Sequence, residues 1–207
     1  MTSKNDGTHL DSHANMVVCG RYCHILSRSG ISATVSAFTE DVGTLEIPIV
    51  DAVIAYNCPD TTKVWLLIVR NVLFVESMNH NLIPPFILRE VGMEVNYRPK
   101  IHHPQGTPSI TDHTFGSEKH GLLIPFKLSG IFSMFDSRKP TNDDFIDGTP
   151  VPITPECEQR NPNSSRFEQN ENAYTDANGQ MIMKEHVDAV LIDDDDFMED
   201  EWNQEYD

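Results

Sequence analysis

Residues 69–95 read VRNVLFVESMNHNLIPPFILREVGMEV, and most of the fold prediction starts from them. The first part is rich in β-branched and aliphatic residues, which favours a strand. Pro84 and Pro85 then end the extended segment, and Gly92 follows FILREV. Proline at the start and glycine just past the end are typical of a short helix. A further strand is expected over 93–97.

Towards the N-terminus the chain predicts more strands. Residues 31–38 alternate β-branched residues with Ser and Thr, which suits a half-buried pleated surface. Residues 45–56 are apolar with interruptions. Residues 63–75 predict two strands that meet near Arg70 and Asn71. Within them the run 64–69 is continuously apolar, which predicts a strand buried on both faces.

Towards the C-terminus the chain becomes polar and then acidic. Residues 101–119 predict a polar loop, and residues 120–135 predict an extra hairpin that turns at Ser129-Gly130. Proline, aspartate and glycine recur in the next 20 residues, and from Glu156 onward there are 3 basic and 16 acidic residues. Such a segment buries too little apolar surface to offset its ordering entropy, so residues 136–207 are predicted to be a disordered acidic tail.

The charge distribution limits the function classes. Up to Pro155 the chain has 12 basic and 16 acidic residues, with no basic patch that could follow a phosphate backbone, so direct nucleic-acid binding is not expected. No run of 18 apolar residues exists, and residues 1–10 lack the apolar core of a signal peptide. We therefore expect an intracellular, cytoplasmic protein with no membrane partner and with reduced thiols.

The candidate catalytic motif is LDSHA at residues 10–14, in front of the β-rich segment. It resembles the Asp-Ser/Thr-Gly-Ala motif of retroviral-type aspartic proteases, in which each of two subunits contributes one Asp. Two carboxylates about 3 Å apart cannot both ionise, so they share a proton and activate a water between them. The resemblance makes Asp11 the catalytic residue, with Ser12, His13 and Ala14 in support. His13 stands where the family usually has Gly.

The stretch 69–95 resembles a second segment of copia-type retrotransposon polyproteins. Asn71 to Val75 match an apolar strand of that family, Asn81-Leu82-Ile83 match an Asn-Leu-Leu element, and Leu88 and Gly92 match the helix and its end. The resemblance implies an all-β, retropepsin-like closed barrel with one short helix. It also implies a flap hairpin, which by position would fall around Thr34 to Leu45.

Simpler interpretations remain open beside this one. Asp11 could be a turn aspartate that caps the following segment. Cys19, Cys23 and His24 form a C-x3-C-H pattern, but zinc sites need a second well-spaced pair, so buried free thiols and no metal are expected. Residues 187–202 mix aliphatic and acidic residues and could bind a partner.

The prediction is therefore a protease domain over residues 8–135, with its core at 10–97. It would be an aspartic endopeptidase of a retrotransposon polyprotein, with a polypeptide substrate, no cofactor, and two copies of Asp11 in a homodimer. The alternative is an inactive protease-like remnant that dimerises or binds peptides and uses the acidic tail for interactions.

Overall fold

The structure is a computed structural model that describes residues 7–36, 43–99, 102 and 109–155, all within one unit, Met1–Arg160. The predicted all-β class is correct, but there are two short α-helices where one was expected. The strands are β1 Gly7–Leu10, β2 Val18–Cys19, β3 His24–Ser36, β4 Thr44–Asn57, β5 Val64–Phe74, β6 His80–Ile83, β7 Glu94–Asn96, β8 Thr114–Ser117, β9 Leu122–Pro125, β10 Lys127–Ser129, β11 Phe132–Phe135 and β12 Thr149–Pro152. The helices are α1 Pro85–Glu90 and α2 Asn142–Asp147, with a 3-10 helix at Glu118–His120.

The main sheet has nine strands and is open. Its order is β10-β11-β1-β6-β2-β5-β4-β3, and β12 also pairs with β5. The predicted closed barrel is therefore wrong. Closure would require the two terminal strands to pair, but among the described residues β3 pairs with β4 and β10 with β11. A second sheet contains β7, β8 and β9.

The longest hairpin joins β3 and β4, which pair from His24 opposite Val53 to Ser36 opposite Thr44. The two ends of the predicted flap lie in this pairing, in which Val35 is opposite Leu45. Residues 37–42 of that predicted flap lie outside the described residues.

Strand β5 lies at the centre of the core. Trp65, Leu67 and Val69 are almost completely buried. The predicted break near Arg70 and Asn71 is an irregularity inside one strand rather than the junction of two. Asn71 adopts a left-handed φ of 52°, and its N–H donates to Oδ1 of Asp51 at 3.0 Å. The carboxylate thereby satisfies a backbone group at a register shift between β4 and β5.

Two local predictions are confirmed around α1 and β11. Helix α1 begins at Pro85 and ends before Gly92, whose φ is 74°. The predicted turn at Ser129-Gly130 is also present, with a φ of 64° at Gly130. The hairpin is shorter than the predicted 120–135, however, because β9 pairs with β8 in the second sheet and only β10 and β11 form the hairpin. The polar segment 101–119, in contrast, contains β8 and part of the 3-10 helix.

The segment 136–155 corrects the predicted start of the tail. It contains α2 and β12 and is therefore not disordered. Residues Thr149 to Pro152 pair in parallel with β5, and Val151 and Ile153 are completely buried. Residues 156–207, the rest of the predicted tail, lie outside the described residues.

Within the described part of the chain, neither α-helix has the length and apolar character needed to cross a bilayer.

Candidate functional site

The candidate site lies at the carboxyl end of β1. This strand pairs in parallel with β6, so that Leu10 lies opposite Ile83. The N–H of Asp11 then donates to the carbonyl of Ile83 at 3.1 Å. The motif loop and the Asn-Leu-Ile element, which the sequence singled out separately, are thus in direct contact.

Asn81 holds the base of this site together. It is 1% exposed, and its Oδ1 accepts the N–H of Gly20 at 2.9 Å while its Nδ2 donates to the hydroxyl of Thr8 at 3.1 Å. Thr8 in turn is 2.8 Å from the hydroxyl of Ser137. A buried side chain with both polar atoms satisfied fixes β1, β6 and the end of β2 relative to one another. The structure therefore gives Asn81 a physical role that the motif alone did not supply.

The loop after β1 is a tight turn. Oδ1 of Asp11 accepts the N–H of His13 at 2.9 Å, and the hydroxyl of Ser12 is 3.3 Å from Nδ1 of His13. This bond is the turn-capping role of the simpler interpretation. The Asp11 side chain is 34% exposed, however, so solvent and ligands can reach its carboxylate.

His13 stands where the resemblance predicts a glycine, but its backbone conformation is not one that only glycine can adopt. Its φ is not positive, so its Cβ imposes no left-handed strain. Its side chain is 92% exposed and lies 4.0 Å from Oδ1 of Asp11 through Nδ1. Ala14 is half-buried, and the buried Met16 and Val17 anchor the end of the loop.

An open cleft of about 280 Å³ contains Asp11. It brings together the motif loop, the start of α1, the residue after β7 and the β10–β11 turn. Tyr97, Ile131 and Phe132 contribute exposed apolar surface, at 45%, 89% and 55% exposure. Asp11 is the one carboxylate among the described residues that line it, which are Leu10, Asp11, Ser12, His13, Pro85, Tyr97, Ile131, Phe132 and Ser133. These three apolar residues could not be predicted from the sequence, because only the fold brings them to Asp11.

A histidine pair lies on the strands below the loop. The rings of His9 and His80 are 4.9 Å apart, and Nε2 of His9 is buried without a hydrogen-bond partner among the described residues. Burial, and then the neighbouring His80, lower the pKa of His9 below its usual value. The pair therefore favours the neutral form of His9 next to the candidate site.

Among the described residues, no three His, Cys, Asp or Glu side chains are grouped closely enough to hold a metal ion. Cys19 and Cys23 of the C-x3-C-H pattern are buried free thiols.

The chemistry available at the cleft is that of a single accessible carboxylate between a hydroxyl residue and apolar walls. One carboxylate can accept a proton from water, but the acid–base division of labour in aspartic proteases needs two. Comparison with protein-family models, with curated proteins and with solved structures found no significant match to this chain.

Proposed function

We propose that this chain is an aspartic endopeptidase of the retroviral type, derived from a copia-like polyprotein and active as a homodimer. The observation that carries the proposal is the placement of Asp11. It follows β1, its N–H is bonded to Ile83 of the Asn-Leu-Ile element, and its accessible carboxylate lies in a cleft with apolar walls. The finer assignment to a retropepsin-like fold is part of the same proposal.

The proposed mechanism needs one Asp11 from each of two copies. When the two carboxylates approach, only one ionises, and the pair holds a single proton. The ionised carboxylate takes a proton from the attacking water, and the protonated one donates to the carbonyl oxygen of the scissile peptide bond. Ser12, which adjoins Asp11 in the turn, would orient the pair by hydrogen bonding across the two-fold axis.

The direct test is cleavage of an unfolded protein substrate at about pH 4–6, where a shared proton is retained. We expect the full chain to cleave it and Asp11→Asn to lose cleavage. Asp60→Asn, an exposed turn aspartate outside the cleft, is the matched control and should cleave like the wild type. The specific rate should rise with protein concentration, because two copies form one site. Equal cleavage by wild type and Asp11→Asn, or none by either, rejects the proposal.

A second candidate is a non-catalytic module that dimerises or binds peptides. It is favoured by the bond between Oδ1 of Asp11 and the N–H of His13, which gives the carboxylate a structural task within its own turn. Sedimentation together with titration of an extended peptide separates the two functions. Dimers that bind the peptide without turnover indicate the module, whereas a monomer at high concentration contradicts both candidates.

A further inference from the structure

A pair of cysteines closes the turn between β2 and β3. Cys19 is the last residue of β2, and Cys23 immediately precedes β3. Both are almost completely buried, at 0% and 2% exposure, and both are free thiols. The activity proposed above uses neither of them.

The two thiols lie on either side of one short turn. Both side chains belong to the same buried core cluster, and each affects the pKa of the other. The turn between them is held by backbone bonds, since the N–H of Cys23 donates to Gly20 at 3.4 Å and the N–H of Arg21 donates to Met78 at 3.0 Å. Asn81 also accepts the N–H of Gly20. These backbone bonds fix the positions of Cys19 and Cys23 on the two sides of the turn.

The surroundings make the two thiols chemically unequal. The hydrogen bond from Cys19 lowers the pKa of Cys23, burial opposes this, and the charge of Lys139 assists it. The same hydrogen bond, together with burial, raises the pKa of Cys19. Cys23 is thus the thiol that loses its proton first. Thiolate character is one condition for reaction with an oxidant and access is the other, which at 2% exposure restricts Cys23 to an oxidant as small as hydrogen peroxide.

We propose that Cys19 and Cys23 are an oxidation site that forms a reversible intramolecular disulfide with hydrogen peroxide. The Cys23 thiolate attacks one peroxide oxygen, the O–O bond breaks, and Cys23 becomes a sulfenic acid while hydroxide leaves. The Cys19 thiol then attacks that sulfur, the S–O bond breaks, and water leaves with the thiol proton. Overall two thiols and one peroxide yield one disulfide and two waters. A dithiol reductant restores the thiols by exchange.

This site is independent of the proposed peptidase. The closed loop is short, so the cross-link removes less chain entropy than one that closes a long loop, and a shift in melting temperature would not identify which cysteines are joined. The useful readout is therefore covalent.

Arg21 lies between the two cysteines, which makes the test sharp. The full chain is treated with hydrogen peroxide in native buffer, alkylated in denaturant, and digested with trypsin without reductant. Trypsin cuts after Arg21, so residues 5–21 and 22–28 separate unless a disulfide joins them. We expect the joined pair, at the summed mass minus two hydrogens, and its loss after reduction. Alkylated, separate peptides overturn the proposal, as does a disulfide that joins either cysteine to Cys58 or Cys157.

Two variants check the order of the steps. In Cys19→Ala the sulfenic acid on Cys23 should persist and be trapped by dimedone, whereas in Cys23→Ala we expect Cys19 to stay a thiol. Cys58→Ser, a half-buried cysteine outside the pair, is the matched control and should still give the joined peptides. Dimedone on Cys19 rather than Cys23 contradicts the assignment of the attacking thiol. The peptide map of the wild type decides the disulfide itself even if a variant does not fold.

Discussion

Asp11 and Asp144 have opposite surroundings. Asp11 belongs to the motif that was predicted to be catalytic, and Asp144 belongs to the segment 136–155, which was predicted to be disordered. The Asp144 side chain is 8% exposed, and it accepts hydrogen bonds from Arg138 at 2.5 and 2.8 Å and from Thr141 at 2.6 and 2.9 Å. The Asp11 side chain is 34% exposed, and the contacts that the described residues show for its carboxylate are with His13 alone.

This difference in exposure and hydrogen bonding distinguishes a carboxylate that stabilises the fold from one that a ligand can reach. The bonds between Thr141 and Asp144 form a capping box at the start of α2. The bonds from Arg138 to Asp144 connect α2 to β4, because Arg138 and Ala55 exchange backbone hydrogen bonds. A carboxylate with its acceptor positions filled has little capacity for chemistry. Asp11 keeps that capacity and faces a cleft.

The largest expected effect is on the Asp144 side of the comparison. Arg138→Met leaves a buried carboxylate without its cation and should lower the free energy of unfolding by about 2 kcal/mol. This is below the ~3–5 kcal/mol of a fully buried pair, because the Arg138 side chain is 37% exposed. Urea denaturation measures it. Lys139→Met, an exposed neighbour with the same charge change, should cost far less, and equal losses would contradict the structural role of Asp144.

A smaller, pH-dependent effect should come from the same carboxylate. Hydrogen bonds from Arg138, and then from Thr141, hold the pKa of Asp144 well below its usual range. Because the folded pKa is depressed, this stabilisation is present above the unfolded value of about 4 and is lost as the pH falls further. In melting curves between pH 7 and 2, the stability advantage of the wild type over Asp144→Asn should shrink below about pH 4. A difference independent of pH would refute this linkage.

The smallest effect should come from Asp11→Asn. The amide oxygen can still accept the N–H of His13, and the site is accessible to water, so stability should change by no more than about 0.5 kcal/mol. Thermal melting of this variant also shows whether any lost cleavage reflects chemistry rather than unfolding. A loss above about 1 kcal/mol would make Asp11 a structural aspartate like Asp144 and end the contrast.

The sequence pointed to the strand that holds Asp11 in place but not to the apolar residues that line its cleft. The resemblance singled out both Asp11 and the Asn-Leu-Ile element, and the pairing of β1 with β6 brings the two into contact. Tyr97, Ile131 and Phe132 were not expected, because their exposure and their distance from Asp11 depend on how β7 and β11 are placed.

The segment 136–155 was missed for a different reason. Composition favoured disorder, yet Thr141 and Asp144 have the spacing of a capping box. Pro150 and Pro152 also alternate with Val151 and Ile153. In a parallel pair this puts the apolar side chains inward, and the N–H of Ile153 donates to Ile68 at 2.9 Å. These local signals produce a strand only because β5 offers a partner. Residues 65–68 of β5 pair with β12, and residues 73–74 pair with β2.

The sequence by itself determined the all-β character, the ends of α1 and the turn at Gly130, because these depend on residues that are neighbours in the chain. The tertiary structure alone decided that the sheet is open, that β12 joins it, and which aspartate is buried. Those outcomes depend on pairings between distant residues, such as Arg138 with Asp144, whose free energy exists only once the chain has folded.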